Sequence, residues 1–174
     1  MNSKIKTRKK TYAGHAFNLE ALTVELPNGK TCTYDLVSHR DSVTIVPVDN
    51  EGNIWFVEQF RMGSGSILLE LPAGVLEKGE KPLDCAKREI REEIGMGAAK
   101  WKKLGSYYLA PGYSSELNHA FLATVLYPSP LEQDKDEFIN IRKMPIAIAY
   151  EQAKTGKIMD AKSIAALFLS KETT

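Results

Sequence analysis

One run of residues constrains this chain more than any other. Gly74 stands ahead of Glu80, and Arg88-Glu89-Ile90-Arg91-Glu92-Glu93-Ile94-Gly95-Met96 follows at fixed spacing. Pro82 suits the first position of a helix, where its missing N–H is no loss, and Gly95 suits a left-handed stop. Between them Leu83, Ala86, Ile90 and Ile94 recur at helical spacing and predict a buried stripe. Glu89 and Glu93 lie four residues apart, so their carboxylates stack on one face, with Glu92 on its flank. Three carboxylates this close repel one another unless cations neutralise them. Mg²⁺ is the expected cation, because it takes oxygen ligands and shares its sphere with water and phosphates.

The competing reading is a solvated charged face, in which Arg88 pairs with Glu92 and Lys87 with Asp84 or Glu80. For Arg-Glu-x-x-Glu-Glu alone that reading is the better one. With Gly74, Glu80 and Gly95 also in place, a cation-binding helix entered from a glycine-bearing loop accounts for more of the sequence.

A chain of 174 residues is long enough for a proper core and predicts one main domain. Its formal net charge of +1 gives no support for a nucleic-acid or membrane surface. The start is locally basic (Lys4, Lys6, Arg8, Lys9, Lys10) with no apolar segment after it, so a secretory signal is not expected. It reads as a frayed or solvated lead into the first strand. No apolar run approaches the roughly 18 residues of a membrane span. Cys32 and Cys85 have neither disulfide-scaffold nor metal-ligand spacing, and Cys85 reads as a buried small residue. The default location is cytoplasmic.

Strands are expected over residues 19–26 and 31–37, joined by the turn Pro27-Asn28-Gly29-Lys30. Others are expected over 42–48, 54–60, 68–71, 101–109 and 119–126, with loop at 132–137. Two helices close the chain. One spans about 145–155 and stops at Gly156; the other is capped by Asp160 and turns Ile164, Leu167 and Phe168 inward. Strands mixed with a few helices argue for a layered α+β or α/β/α domain.

The run from Gly74 to Met96 matches G-x5-E-x7-R-E-U-x-E-E-x-G-U at every fixed position, with U apolar, and so resembles the Nudix hydrolase signature. Four further segments resemble the branch that cleaves ADP-ribose and nucleoside diphosphate sugars. These are Gln59-Phe60-Arg61, Glu70-Leu71-Pro72-Ala73-Gly74, Ala110-Pro111-Gly112-Tyr113-Ser114-Ser115-Glu116 and Gly156-Lys157-Ile158-Met159-Asp160-Ala161-Lys162. In that branch a proline about sixteen residues beyond the box marks ADP-ribose enzymes, and Pro111 is sixteen beyond Gly95.

The resemblance implies an α+β fold. That fold is a Nudix α/β/α sandwich around a mixed central sheet, with an N-terminal antiparallel β-sheet extension. It divides the chain into an N-terminal hairpin region at 1–40 and a catalytic domain at 41–174. It implies Mg²⁺, with Mn²⁺ as a substitute, held by Glu89, Glu93 and the backbone carbonyl of Ala73. Glu116 becomes the general base or a metal ligand, and base is the choice here. Arg88 and Glu92 brace the catalytic helix beside Glu93. Arg61, Glu70, Pro111 and Gly112 are the candidate substrate contacts, with Arg61 the best phosphate clamp because guanidinium binds phosphate bidentately. For Glu70, loop orientation and substrate binding stay open. A homodimer formed through the N-terminal sheet is also implied.

Tyr107, Tyr108 and Tyr113 could stack on a base, although strand tyrosines usually pack, and His119 reads as packing. Two positions depart from the family pattern: Asp41-Ser42 stands where a Gly-Ala-like pair is expected, and Ser115 where an acidic residue is. The expected activity is Mg-dependent hydrolysis of the pyrophosphate bond of ADP-ribose or a related nucleoside diphosphate sugar. The alternatives are a broad nucleoside-diphosphate-sugar hydrolase acting on donors such as GDP-mannose, and a catalytically silent ADP-ribose sensor. Sensors often lose carboxylates that this box keeps.

Overall fold

The computed structural model describes residues 2–133 and 138–171. The chain divides into two compact units, Met1–Asp41 with Tyr108–Leu117 and Ser42–Tyr107 with Asn118–Thr174.

The first unit is built on a three-stranded antiparallel sheet, β1 (Lys4–Ala13), β2 (Asn18–Glu25) and β3 (Thr31–Ser38), in that order. Gly29, at φ 78°, closes the β2–β3 turn, a backbone state open to glycine without strain. The basic start is not frayed. It forms the ten-residue strand β1, with Lys6 paired to Glu25 at 2.7 Å and Arg8 to Glu20 at 3.2 Å. Cross-strand ion pairs let an otherwise fully exposed, polar strand hold its register. The segment 108–117 lies beside β3: Val37 donates its N–H to Tyr113 at 2.7 Å and accepts from Ser115 at 3.0 Å.

The second unit is a mixed seven-stranded sheet covered on both faces. Its path is β10 (Ile139–Pro145), β5 (Asn53–Arg61), β4 (Ser42–Val48), β9 (Leu117–Pro128) and β8 (Met96–Tyr108). The short strands β6 (Ser66–Glu70) and β7 (Ala73–Val75) pair with β5 and β4. β4 and β9 run parallel, and every residue of β4 is buried, as expected of a strand covered on both sides.

The period-two alternation of the strands sorts the core into two layers. Val43, Ile45, Val57, Phe121 and Ala123 pack with Cys85, Ala86, Ile90 and Ile94 of helix α1 (Pro82–Ile94). Val46, Val48, Ile54, Phe56, Ala120 and Leu122 pack with α2 (Ile146–Lys154) and α3 (Ala161–Ser170) through Ala149, Ala153, Ala166 and Leu167. This is the expected sandwich, and Cys85 is buried in it as expected. Helix α1 begins at Pro82 and ends at Gly95, whose φ of 70° is the left-handed stop the sequence called for.

Three expectations are corrected. Phe168 is 45% exposed, because α3 presents Ser163, Ala166, Leu167 and Ser170 inward and Phe168 projects off that face. A strand at 139–145 was not expected; its mostly exposed residues form the sheet edge against β5. β8 is longer than the expected strand and starts directly after the stop of α1. Of the expected loop at 132–137, residues 134–137 lie outside the described residues.

Candidate active site

The functional face of α1 is organised by one guanidinium. Arg88 donates to Glu80 at 3.0 and 3.1 Å, to Glu89 at 2.7 Å and to Glu92 at 2.8 Å. It also reaches the carbonyl of Val75 at 3.4 Å. Hydrogen bonding to Glu80 is the first cause of the upward push on the Arg88 pKa, so the group stays charged. In return Arg88 holds Glu80 below the usual carboxylate range. Glu80 also accepts the Glu77 N–H at 2.9 Å, which closes the loop between β7 and α1. The i,i+4 pair Arg88–Glu92 exists, as the solvated-face reading had it, but it belongs to this larger network.

Glu89 and Glu93 are 8% and 2% exposed, far too buried for an ordinary solvated face. Glu93 accepts the backbone N–H of Ala73 at 3.0 Å, which brings its carboxylate to β7. A Cβ on Gly74 would fall 1.9 Å from the Glu89 carboxylate, so only glycine allows β7 to approach α1 this closely. Among the described residues no three His, Cys, Asp or Glu side chains are gathered to hold a metal ion by themselves. Two buried carboxylates beside a backbone strand nevertheless form a hard-oxygen donor set. That set suits a cation which takes the rest of its sphere from water and phosphate, as Mg²⁺ does.

A second charged group gathers at the ends of β5 and β6. Arg61, at the end of β5, forks onto Glu70 of β6 with bonds of 2.8 and 2.7 Å. Lys162 reaches the same carboxylate at 2.5 Å and Asp160 at 3.0 Å. Glu70 is 1% exposed. Burial pushes its pKa up, but the bonds and charges of Arg61 and Lys162 outweigh burial and hold it below the usual range. The negative charge of Glu93 also acts on Arg61, which relates this group to the α1 carboxylates.

In the first unit, Glu116 sits on a loop fixed by its own hydrogen bonds. Tyr113 and Ser114 donate their N–H groups to Ala110 across the turn that contains Pro111 and Gly112. The Ser115 hydroxyl bridges the N–H of His39 at 2.9 Å and its carbonyl at 3.0 Å. His39 Nδ1 lies 3.7 Å from Glu116. Ser115 thus fastens the loop where an acidic residue was expected. Ser42, likewise off-pattern, accepts from the buried Asn118 at 2.9 Å in the second unit. Tyr108 and Tyr113 are exposed, whereas Tyr107 packs on the core and donates to the Lys162 carbonyl at 2.8 Å. His119 is buried, with Nδ1 2.8 Å from the Ser106 hydroxyl.

A NUDIX domain model matches residues 38–167. The chain belongs to the Nudix family. It is 36% identical to an ADP-ribose pyrophosphatase of Bacillus subtilis over 171 residues, covering 96% of this chain and 91% of that one. It is 34% identical to a methanol dehydrogenase activator of Bacillus methanolicus, covering 94% of this chain and 89% of that one. The solved structure of an ADP compounds hydrolase superposes with a TM-score of 0.88 at 27% identity, covering 99% of this chain and 94% of that one. Nudix hydrolases work with divalent metal ions, and the α1–β7 donor set fits one.

Sequence reasoning gave no role to Lys162 or His39, although Lys162 stood in a quoted segment. The partners that give them meaning, Glu70 and Glu116, are remote in the chain.

The Glu70 cluster predicts an acid-sensitive fold. Its folded pKa lies below its unfolded value of about 4.3, so its stabilisation is complete above that value. It is lost as pH falls through the folded value. Urea midpoints from pH 7 to pH 3 should therefore fall less for Glu70→Gln than for wild type; parallel curves would remove this carboxylate from the acid response.

Proposed function

We propose that this Nudix chain hydrolyses the diphosphate bridge of ADP-ribose or a related nucleoside diphosphate sugar. The products are a nucleoside monophosphate and a sugar phosphate. The observation that carries the reading is the pair of buried carboxylates, Glu89 and Glu93, held against the glycine-bearing strand β7. Two buried carboxylates on one helix face are an oxygen donor set of the kind a hard divalent cation takes. The resemblance to an ADP-ribose pyrophosphatase over 96% of the chain supports the substrate class.

Glu89, Glu93 and the Ala73 carbonyl would hold Mg²⁺, with Mn²⁺ as substitute. Bound there, the ion neutralises phosphate charge, polarises phosphorus and lowers the pKa of a water. Glu116, on a loop that Ser115 keeps in place, is the candidate base for a water proton. One P–O bond forms to the water oxygen, and the bridging P–O bond breaks with its electrons leaving on the departing phosphate. Arg88 and Glu92 keep Glu89 oriented on α1. Arg61 takes a substrate phosphate and Glu70 fixes Arg61; Pro111 and Gly112 are further candidate substrate contacts. No helix among the described residues is long and apolar enough to cross a membrane, and the reading places the enzyme in the cytoplasm.

The second reading is a broad hydrolase that includes GDP-mannose, since the off-pattern Asp41-Ser42 and Ser115 do not secure a strict ADP-ribose enzyme. A panel of ADP-ribose, GDP-mannose, UDP-glucose and a nucleoside triphosphate, with Mg²⁺ and then with chelator, separates the two. ADP-ribose is expected to lead and chelator to stop turnover. Equal rates across the sugars would favour the broad enzyme, and silence on all of them would sink hydrolysis.

The reading includes a homodimer through the N-terminal sheet, where Ile5, Tyr12 and Tyr34 are each about half exposed. Sedimentation of active protein at assay concentration should give twice the 19.4 kDa chain mass. An active monomer would count against it.

A further inference from the structure

Within the cluster of charges at the start of α3, Lys162 has no part in the reaction described above. The members of the cluster come from three elements: Arg61 at the end of β5, Glu70 at the end of β6 and Lys162 in the first turn of α3. Glu70 uses one oxygen for Arg61 Nε and shares the other between Arg61 Nη2 and Lys162 Nζ. Arg61 is thereby gripped along one edge of its guanidinium. Nη1 is the nitrogen that neither bond uses.

Exposure separates the two cations. The Arg61 side chain is 40% exposed and the Lys162 side chain 14%, so Arg61 can meet a ligand while Lys162 faces the protein. Lys162 is itself fixed. Asp160 caps α3 by accepting the Ser163 N–H at 3.0 Å, and it binds Lys162 at 3.0 Å. Ser163 in turn accepts the Leu71 N–H at 2.7 Å, which ties the start of α3 to the residue after Glu70. The helix terminus and the carboxylate are therefore held in one register.

We infer that Lys162 is a positioning residue for substrate binding. Through the buried carboxylate of Glu70 it fixes Arg61 with its remaining N–H edge ready for a phosphate oxygen. The inference rests on reading Arg61 as the phosphate contact. A buried carboxylate with only Arg61 as partner would leave that long side chain free to trade Glu70 for other acceptors. Lys162 holds Glu70 to α3, so the acceptor stays still and Arg61 with it. An arginine ordered before binding loses less freedom when the phosphate arrives. The α3 segment Asp160-Ala161-Lys162-Ser163 thus serves the site through its charge pattern as well as through packing.

Steady-state kinetics with ADP-ribose and Mg²⁺ test this on Lys162→Met, Lys162→Arg, Arg61→Ala and the double variant Lys162→Met/Arg61→Ala. Lys162→Met should raise KM about tenfold with kcat within about twofold, the mark of lost uniform binding. Lys162→Arg should restore KM, since it keeps a charged donor. In the Arg61→Ala background Lys162→Met should add little further, because the two act through one contact. Additive effects in the double variant, or an unchanged KM in folded Lys162→Met, overturn the inference. Should Lys162→Met not fold, Lys162→Gln takes its place, and failure of both to fold makes Lys162 a stability residue and overturns the inference too. A wild-type KM in Arg61→Ala removes the reading on which it rests, and wild-type protein inert toward every diphosphate removes the proposed function instead.

Discussion

Crowded negative charge on α1 is the constraint around which the catalytic unit is arranged. Glu80, Glu89 and Glu92 all converge on Arg88, while Glu93 turns to the Ala73 amide. Carboxylates gathered on one guanidinium repel one another, and burial strengthens that repulsion. Arg88 offsets part of that repulsion and, through Glu80 and Val75, fastens the loop that delivers β7. Gly74 then allows the backbone of β7 to meet the Glu89 carboxylate. The spacing from Gly74 to Gly95 is thus one physical requirement, in which loop closure, helix phase and close backbone approach must agree.

A second carboxylate shows a different solution to the same problem. Glu70 is as buried as Glu93, but two fixed cations reach it, and it is complete within the protein. Glu89 takes the Arg88 guanidinium at 2.7 Å, and Glu93 takes the Ala73 amide of β7 at 3.0 Å. Glu70 anchors two cations from separate elements, whereas the α1 pair is the one we propose to receive a divalent ion.

The parts legible in the sequence are those whose signals are local. α1 carries its start, its stop and its apolar stripe within one run, and the structure follows them from Pro82 to the left-handed Gly95. β4 and β9 were expected as strands, and the structure sorts Val43 and Ile45 from Val46 and Val48 into opposite layers. β1 was missed because Lys4–Ala13 carries five cations and few apolar residues; backbone pairing with β2, braced by the Lys6–Glu25 and Arg8–Glu20 ion pairs, makes it a strand. Phe168 misled because helical spacing fixes a face only to within a residue. In the candidate site, the α1 carboxylates could be named from spacing. The Lys162–Glu70 contact joins residues 92 apart, and the Ser115–His39 clasp residues 76 apart. Neither could be read before the fold brought them together.

Glu93 is the residue proposed to help hold a divalent cation against a diphosphate. Mn²⁺ binding followed by electron paramagnetic resonance on Glu93→Gln, with ADP-ribose turnover and circular dichroism on the same sample, tests it most directly. The account predicts a folded protein that has lost both a bound Mn²⁺ and hydrolysis. A folded variant that binds Mn²⁺ as wild type does and still cleaves ADP-ribose would contradict it.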